Sequence, residues 1–205
     1  MKLIIPPGAT PIDDLSGLKV PITTQSQLDA LEFDNIHKAE QKYFRPRKFK
    51  DISWFKESFF KELHKAMFGE VWEWAGKYRT KDVLPVGVDP YKIPMLIYEL
   101  IQDVEYWTFH SKDMTLLERA ARIHHRLAFI HPFPNGNGRF SRFVSNLFLM
   151  SHRCTLSSWP QEMHKNGCLH RTMYLGVLRE ADQGNFQPLI DYIRFLGAKE
   201  KMMSL

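Results

Sequence analysis

The segment from His131 to Arg142 concentrates residues that could act on a phosphate chain. It reads His-Pro-Phe-Pro-Asn-Gly-Asn-Gly-Arg-Phe-Ser-Arg. A helix is predicted to end at His131, because a proline at the next position disfavours helical backbone in the residue before it. Glycines in the link that follows let backbone N–H groups turn inward around an anion. The start of the next helix adds N–H groups and the positive end of its dipole, so the segment predicts a phosphate-binding loop.

Three side chains of this segment could take part in phosphate chemistry. Arg139 and Arg142 lie one helical turn apart, so two guanidinium groups could bind phosphate oxygens bidentately. His131 would lie across the loop, where an imidazole with a pKa near neutrality can take a proton from an incoming hydroxyl. Two arginines at a helix start are usually solvated, but their combination with a histidine and an anion-binding loop favours a phosphate-transfer site.

The other histidines and the cysteines could instead serve the core or a zinc site. His124 lies on nearly the same helix face as His131 and is interpreted as a core or supporting residue, whereas His125 is expected to be solvated. A zinc site would have to use Cys154, His164, Cys168 and His170. No CxxC or HxxxH pair occurs among them, so the sequence disfavours a structural zinc centre.

Helices are predicted to hold this loop in place. Apolar residues recur at three- and four-residue steps along most of the chain, and Thr115 with Glu118 forms a capping box. After the loop, the buried stripe is expected to contain Phe140, with Arg139 at its edge and Arg142 further onto the polar side. Helices are predicted from Ser26 to before Pro46, from near Ser53 towards Trp72, and over about 94–110, 115–131, 140 onward, 169–181 and 186–196.

Two segments break the helical pattern. Residues 1–25 are rich in Pro, Gly and Thr and are interpreted as an extended arm. In residues 82–94, β-branched residues alternate with Pro and Gly, which is typical of a short hairpin. The predicted fold class is therefore all-α, a helical bundle with one small β-hairpin.

Composition excludes several protein classes. A chain of 205 residues with 44% hydrophobic and 25% charged residues is an ordinary globular domain. Two cysteines exclude a disulfide scaffold and favour a reducing compartment. No signal peptide or membrane span is found, so we expect a cytoplasmic protein without a membrane partner. The net charge of +5 is mild, and the basic run 45–50 is interpreted as a solvated linker, so direct nucleic-acid binding is not expected.

The loop resembles the signature of the Fic family, HPFx(D/E)GNGRxxR. Residues 60–80, with Trp-Ala-Gly-Lys near their end, and residues 174–189 resemble further parts of that family, so the resemblance covers roughly 53–195. It implies an N-terminal arm and helix over 1–52, a Fic domain over 53–196 and a tail over 197–205. The arm, from Gly8 onward, is similar to the subgroup called mobile mystery protein B.

The resemblance implies a Fic helical fold and the transfer of AMP from ATP to a Ser, Thr or Tyr hydroxyl of a target protein. It makes His131 the general base and Phe133 the anchor of the loop. It assigns the ATP phosphates to Gly136, Asn137, Gly138, Arg139 and Arg142. It also makes the hairpin a flap that holds the target by main-chain pairing, through Val83, Leu84, Val86, Gly87 and Val88.

Asn135 departs from the signature. The family usually has Asp or Glu there, and this carboxylate binds the Mg²⁺ that bridges the phosphates. An amide oxygen is a neutral, weaker ligand for Mg²⁺, so Asn135 would hold the metal weakly and through the ATP phosphates. The departure leaves two alternatives open: a catalytically weak or inactive nucleotide-binding module, or transfer of a different phosphate-containing group.

Control of activity is the second departure. Many family members carry an inhibitory helix with the pattern (S/T)xxxE(G/N). Residues Ser53 to Glu57 fit its first five positions, but Ser58 follows, and no convincing copy is found. Two alternatives stay open: a separate small partner inhibits the chain, or there is no inhibitor. The resemblance to mobile mystery protein B favours a partner, a helix-turn-helix protein, and a toxin-like role for this chain within a two-protein module.

Overall fold

A computed structural model of the chain describes residues 15, 17–45, 49, 51–82, 86–160 and 168–203, and side chains only up to residue 198. The predicted all-α class is confirmed. The helices are α1 (Gln25–Tyr43), α2 (Glu57–Phe68), α3 (Ile93–His110), α4 (Leu116–Ile130), α5 (Asn137–Ser151), α6 (Leu169–Asp182) and α7 (Gln187–Met203). None of the helices in the described ranges combines the length and the apolar character that crossing a membrane requires.

The helices α4 and α5 form the centre of the bundle. They pack closely on each other, and the loop between them carries the signature segment. On one flank α1 packs on α2, and on the other α6 and α7 pack together, with α7 also contacting α4. The core is rich in aromatic residues, as expected from the sequence, and its fully buried side chains include Phe60, Phe68, Trp72, Phe133, Phe140 and Phe148.

The helix starts differ from the sequence-based expectation at two positions. α1 is capped by Thr24, whose hydroxyl accepts the Gln27 N–H at 3.2 Å while the Gln27 side chain accepts the Thr24 N–H, so the box lies two residues before the predicted Ser26 start. α2 begins at Glu57, and the preceding residues 51–54 form turns. The Thr115 cap of α4 is confirmed, since its hydroxyl accepts the Glu118 N–H.

The predicted hairpin over 82–94 is wrong at its C-terminal end. Pro90–Lys92 form a turn of 3-10 helix that leads directly into α3. Pro90 favours this outcome, because proline is pre-organised for the first position of a helix. Residues 83–85, including the flap candidates Val83 and Leu84, lie outside the described residues. The described residues do form one isolated antiparallel bridge, between Leu18 and Trp72, which the sequence had not indicated.

Helices pack across or extend past the predicted domain boundaries, which stay predictions. α1, which falls before the boundary at residue 53, packs on α2. α7 continues through residue 197 to Met203, so the expected tail begins inside a helix. The N-terminal arm before residue 15 lies outside the described residues, and its likeness to mobile mystery protein B stays a prediction.

Candidate active site

His131 terminates α4 with its backbone in the left-handed region, at φ 54° and ψ 58°. This conformation is uncommon for a residue with a side chain, and strain of this kind is concentrated at functional sites. The imidazole Nδ1 lies 3.2 Å from the Ala128 carbonyl. Because a carbonyl only accepts, Nδ1 carries the hydrogen, and Nε2 therefore has the lone pair that can take a proton.

Burial is the main influence on the pKa of His131. It lowers that pKa to about 4, the bond to Ala128 acts in the opposite direction, and the positive charge of Arg79 lowers it further. The imidazole is therefore neutral at physiological pH. A neutral imidazole can act as a base there, although a low pKa makes it a weaker one.

Phe133 and Asn137 fix the shape of the loop. The Phe133 ring is fully buried, as the resemblance implied. The Asn137 side chain accepts the Phe133 N–H at 2.9 Å and donates to the Phe133 carbonyl at 2.8 Å. Both ends of this buried amide are thus engaged by the protein itself. Of the groups of Asn137, only the main-chain N–H is positioned to serve a phosphate.

His64 on α2 packs against the loop and was missed by sequence reasoning. Its ring stacks on Phe133 at 3.7 Å between centroids. The Gly76 N–H donates to Nδ1 at 3.0 Å, so Nε2 carries the hydrogen and donates to the Asn135 carbonyl at 3.0 Å. Burial lowers the pKa of His64 to about 3, which keeps the ring neutral. The position of His64 on the apolar stripe of α2 was the sequence signal that could have identified it as a buried residue.

Gly136 is the N-cap of α5 and adopts φ 78°. A Cβ at this position would also lie 2.6 Å from two ring atoms of Phe68, so both conformation and space require glycine. Gly138 is different, since a Cβ there would meet only Nη1 of Arg142, at an ordinary 3.7 Å. The first turn of α5 presents N–H groups that no helical carbonyl can satisfy, which is the expected environment for a phosphate.

Arg139 is held by a buried carboxylate from α1. Its Nη1 pairs with Glu32 at 2.5 Å, and the other oxygen of Glu32 accepts the Trp72 indole N–H at 2.7 Å. The guanidinium also lies over the Phe68 ring, 4.7 Å from its centroid. One edge of the Arg139 guanidinium, which was predicted to bind phosphate, is therefore occupied by Glu32. No pattern in the sequence indicates that Glu32 reaches Arg139.

Arg142 does not point to the solvated side of α5, contrary to the expectation from the helical pattern. Its guanidinium is partly buried and lies 5.7 Å from the ring centroids of both Trp159 and Tyr174. Burial lowers its pKa. The fold covers this face because residues 154–160 and α6 pack over it. The guanidinium curls back over Gly138, above the start of α5, where a phosphate is predicted.

The segment that follows α2 is attached to the loop through its main chain. The Arg79 N–H donates to the Pro132 carbonyl at 2.9 Å, and the Val88 N–H donates to the Ile130 carbonyl at 3.5 Å. Gly87 has φ 88°, and a Cβ there would lie 2.8 Å from that of His131. The described flap candidates Val86, Gly87 and Val88 are therefore next to the predicted base.

The histidines outside the loop have structural partners. His124 is fully buried with Nε2 3.0 Å from the Tyr174 hydroxyl, which agrees with its interpretation as a core residue. The expectation that His125 is solvated is wrong. It is buried, and its Nε2 lies 2.8 Å from Asp182, because the end of α6 and Phe186 cover this face of α4. Within the described ranges, no group of three or more Cys, His, Asp or Glu could hold a metal ion, and His164 lies outside them.

The site fits a nucleotide phosphate better than it fits a tightly held metal. The start of α5 and the Arg142 guanidinium supply N–H donors and positive charge. Asn135 is the predicted metal ligand, but its side-chain oxygen accepts the Gly136 N–H at 2.6 Å. A neutral oxygen that is already engaged is a poor ligand for Mg²⁺, so phosphate oxygens would have to supply most of the metal binding.

Comparison with known proteins gives a consistent result. The chain is 30% identical over 135 residues to protein adenylyltransferase fic-1 of Caenorhabditis elegans, a match that covers 64% of this chain and 25% of that protein. It is likewise 30% identical over 134 residues to protein adenylyltransferase Fic of Drosophila virilis, covering 64% of this chain and 26% of that protein. The match thus spans about a quarter of the length of these relatives.

Solved structures share the fold. The Fic-1 fragment of residues 134–508 from C. elegans superposes with a TM-score of 0.67 at 21% identity, covering 90% of this chain and 53% of the fragment. BepC of Bartonella tribocorum, solved with bound AMPPNP, gives a TM-score of 0.66 at 17% identity, covering 87% of this chain and 90% of BepC. A family model, Fic/DOC family, matches residues 54–149, which include α2, the signature loop and most of α5. Residues 54–149 of the chain thus match a Fic/DOC family domain.

Proposed function

We propose that this chain is a protein adenylyltransferase that transfers AMP from ATP to a Ser, Thr or Tyr hydroxyl of a target protein. The observation that carries the proposal is a neutral His131, whose Nδ1 carries the hydrogen, at the start of the loop that leads into the N-terminus of α5. The relatives named protein adenylyltransferase support the same reaction. The neighbour with bound AMPPNP supports ATP as the substrate.

The chemistry follows from these groups. His131 Nε2 takes the proton of the target hydroxyl, whose oxygen forms a bond to the α-phosphorus of ATP. The bond from that phosphorus to the oxygen bridging the β-phosphate breaks, and pyrophosphate leaves. N–H groups at the start of α5 and the Arg142 guanidinium stabilise the negative charge that builds up on the phosphates. When bound, Mg²⁺ would neutralise further phosphate charge, with Asn135 as its protein ligand.

Target binding and control extend the proposal. The segment at Val86–Val88 would hold the target's backbone beside His131, as strand addition at an exposed edge. A separate inhibitory, antitoxin-like partner would block Arg142, and the chain would then be the toxin-like half of a two-protein module. The proposed location is the cytoplasm.

A catalytically weak nucleotide-binding module is the second candidate. Two observations favour it: the Asn135 oxygen already accepts the Gly136 N–H, and the pKa of His131 is lowered to about 4. Either feature would slow metal-dependent transfer while leaving phosphate binding at α5 intact.

ATP labelled at two different positions tests which group the chain transfers. The purified chain is incubated with cell lysate and Mg²⁺, using ATP labelled at the α- or the γ-phosphate. Incorporation of only the α-label indicates AMP transfer, and incorporation of only the γ-label would indicate transfer of phosphate and overturn the proposal.

His131→Ala should lower the transfer rate by about 10²- to 10⁴-fold, because a general base is removed. ATP affinity measured by calorimetry should be nearly unchanged, since the base contacts the attacking hydroxyl rather than the ground-state phosphates. The matched control is His110→Ala at the exposed end of α3. Wild-type rates in His131→Ala would refute the role of this histidine.

A further inference from the structure

The Arg79 side chain contacts four backbone carbonyls around the predicted base. It is buried, with 4% of its surface exposed. Nε donates to the His131 carbonyl at 2.6 Å, and Nη1 donates to the Lys81 carbonyl at 3.1 Å. Nη2 donates to the Val88 carbonyl and, at 3.3 Å, to the Ile130 carbonyl.

Two of these carbonyls belong to the C-terminal end of α4. The last carbonyls of a helix have no N–H partner within the helix, and a positive charge there opposes the negative end of the dipole. Helical hydrogen bonding cannot continue past His131, because Pro132 has no N–H. Arg79 therefore satisfies the helix end at the point where His131 adopts its left-handed conformation.

The other two carbonyls flank the docking segment, defined here as the described residues 81, 82 and 86–88. The guanidinium lies between Lys81 at its beginning and Val88 at its end. Main-chain bonds from Arg79 to Pro132 and from Val88 to Ile130 attach Arg79 itself and the end of the segment to the residues on either side of His131. Gly87 passes so close that a Cβ there would lie 2.7 Å from Nη2 of Arg79. A single side chain thus joins both ends of the docking segment to the residue that carries the base.

We propose that Arg79 is a positioning residue that holds the docking segment in register with His131, so that a target hydroxyl reaches Nε2. This inference rests on the proposed function. The planar guanidinium is suited to the task, because its five fixed N–H donors reach carbonyls in different directions. A lysine ammonium has three donors at one point and would hold only part of the arrangement.

The test compares Arg79→Gln and Arg79→Lys with Arg119→Gln and Arg119→Lys. Arg119 is a matched control, since its guanidinium also donates to a backbone carbonyl, that of Ser111, at 2.6 Å. Ser111 is the C-cap of α3 and precedes the start of α4, at the opposite end of that helix from His131. Two quantities are measured for transfer of α-labelled AMP to lysate proteins: the rate at saturating ATP and the ATP concentration giving half of that rate. Amide hydrogen exchange of each variant is followed by mass spectrometry.

We expect Arg79→Gln to lower the rate at saturating ATP by roughly tenfold to a hundredfold, the scale of a misplaced reacting group. The half-saturating ATP concentration should change less than about twofold, because the docking segment does not form the phosphate site. Arg79→Lys should fall between Arg79→Gln and the wild type, and both Arg119 variants should match the wild type. Exchange in Arg79→Gln should increase within 79–82 and 86–90 but not in α5.

An unchanged rate in Arg79→Gln, or equal changes in rate and in half-saturating ATP, would overturn the role of Arg79 alone. Faster exchange throughout the chain would also overturn it, since it would indicate only a general stabilising role. If Arg79→Gln does not fold, Arg79→Lys decides by the same criteria. A wild-type chain that transfers no AMP would instead overturn the proposed function.

Discussion

The signature loop has two sides, and the protein uses them differently. Phe133, Gly136, Asn137 and Arg139 form what we call the packed side, where each side chain or backbone position is engaged by the protein. His131, Gly138 and Arg142 form the reactive side. A Cβ at Gly138 would meet only the Arg142 guanidinium, at 3.7 Å. No carboxylate is among the groups that shift the pKa of Arg142.

The difference shows that one motif combines two kinds of constraint. Packed-side residues keep the loop in a single shape, so substitutions there should cost stability first. Reactive-side residues are the ones proposed to contact ATP and the target, so substitutions there should lower ATP affinity or the transfer rate first. Asn135 lies between the sides: His64 fixes its carbonyl, and its amide oxygen faces Gly136 and, at 3.5 Å, Arg139.

The two glycines give the sharpest contrast in stability. Gly136→Ala should lower the free energy of unfolding by about 2 to 4 kcal/mol, since it adds left-handed strain and a clash with Phe68. Gly138→Ala should change it by less than about 1 kcal/mol, because alanine fits a helix and the space is open. Urea denaturation of both variants measures this. Equal stabilities would mean that Gly136 is not on a packed side.

The two arginines give the next contrast, in nucleotide binding. Arg142→Gln should weaken ATP binding by about 1.5 to 3 kcal/mol, the usual contribution of hydrogen bonds to a charged group. Arg139→Gln should weaken ATP binding less and stability more, because it leaves the buried carboxylate of Glu32 without its partner. Calorimetric titration with ATP and urea denaturation separate the two effects. If Arg139→Gln weakened ATP binding more than Arg142→Gln does, Arg139 would belong to the reactive side and Arg142 to the packed side.

Acid should weaken the packed side through His64. Its pKa is lowered from 6.5 to about 3 in the folded protein, so the unfolded chain binds the proton more readily. The stabilising effect is complete above pH 6.5 and is lost as the pH falls from 6.5 towards 3, by up to about 1.4 kcal/mol per pH unit. His124 and His131, with pKa values lowered to about 3 and about 4, act in the same direction.

Urea midpoints at pH 7.0 and pH 5.5 measure this dependence, because the first pH lies above the window and the second lies about one unit inside it. His64→Gln, which keeps a donor and an acceptor, should reduce the loss of stability between them. A variant with the same loss as the wild type would show that His64 does not link the packed side to pH.

The smallest expected effect concerns Asn135. Asn135→Asp supplies the charged oxygen that Mg²⁺ prefers, so it should lower the Mg²⁺ concentration needed for half-maximal AMP transfer by a few-fold, on the order of 3 to 10. The measurement is a Mg²⁺ titration of transfer by both forms. An Asp form that needs as much metal as the wild type, or more, would contradict the interpretation of Asn135 as a weak metal ligand.

The sequence by itself determined the fold class and the location of the site. Three- and four-residue periodicity reports which face of a segment is apolar, and this is a local property, so most helices were placed correctly. The loop was found because proline, glycine and a helix start act within a few residues of one another. The buried position of Phe133 was also predicted, from the resemblance to the Fic signature.

Only the tertiary structure decided which atoms of the loop are held by distant parts of the protein. Glu32 lies 107 residues before Arg139, and His64 lies 71 residues before Asn135, so no local pattern connects them. Periodicity placed Arg142 and His125 on polar faces, but it cannot report that α6 and its following turn cover those faces. The pairing of Arg79 with four carbonyls depends on three chain segments meeting, because hydrogen-bond partners in a folded core are set by packing rather than by spacing along the chain.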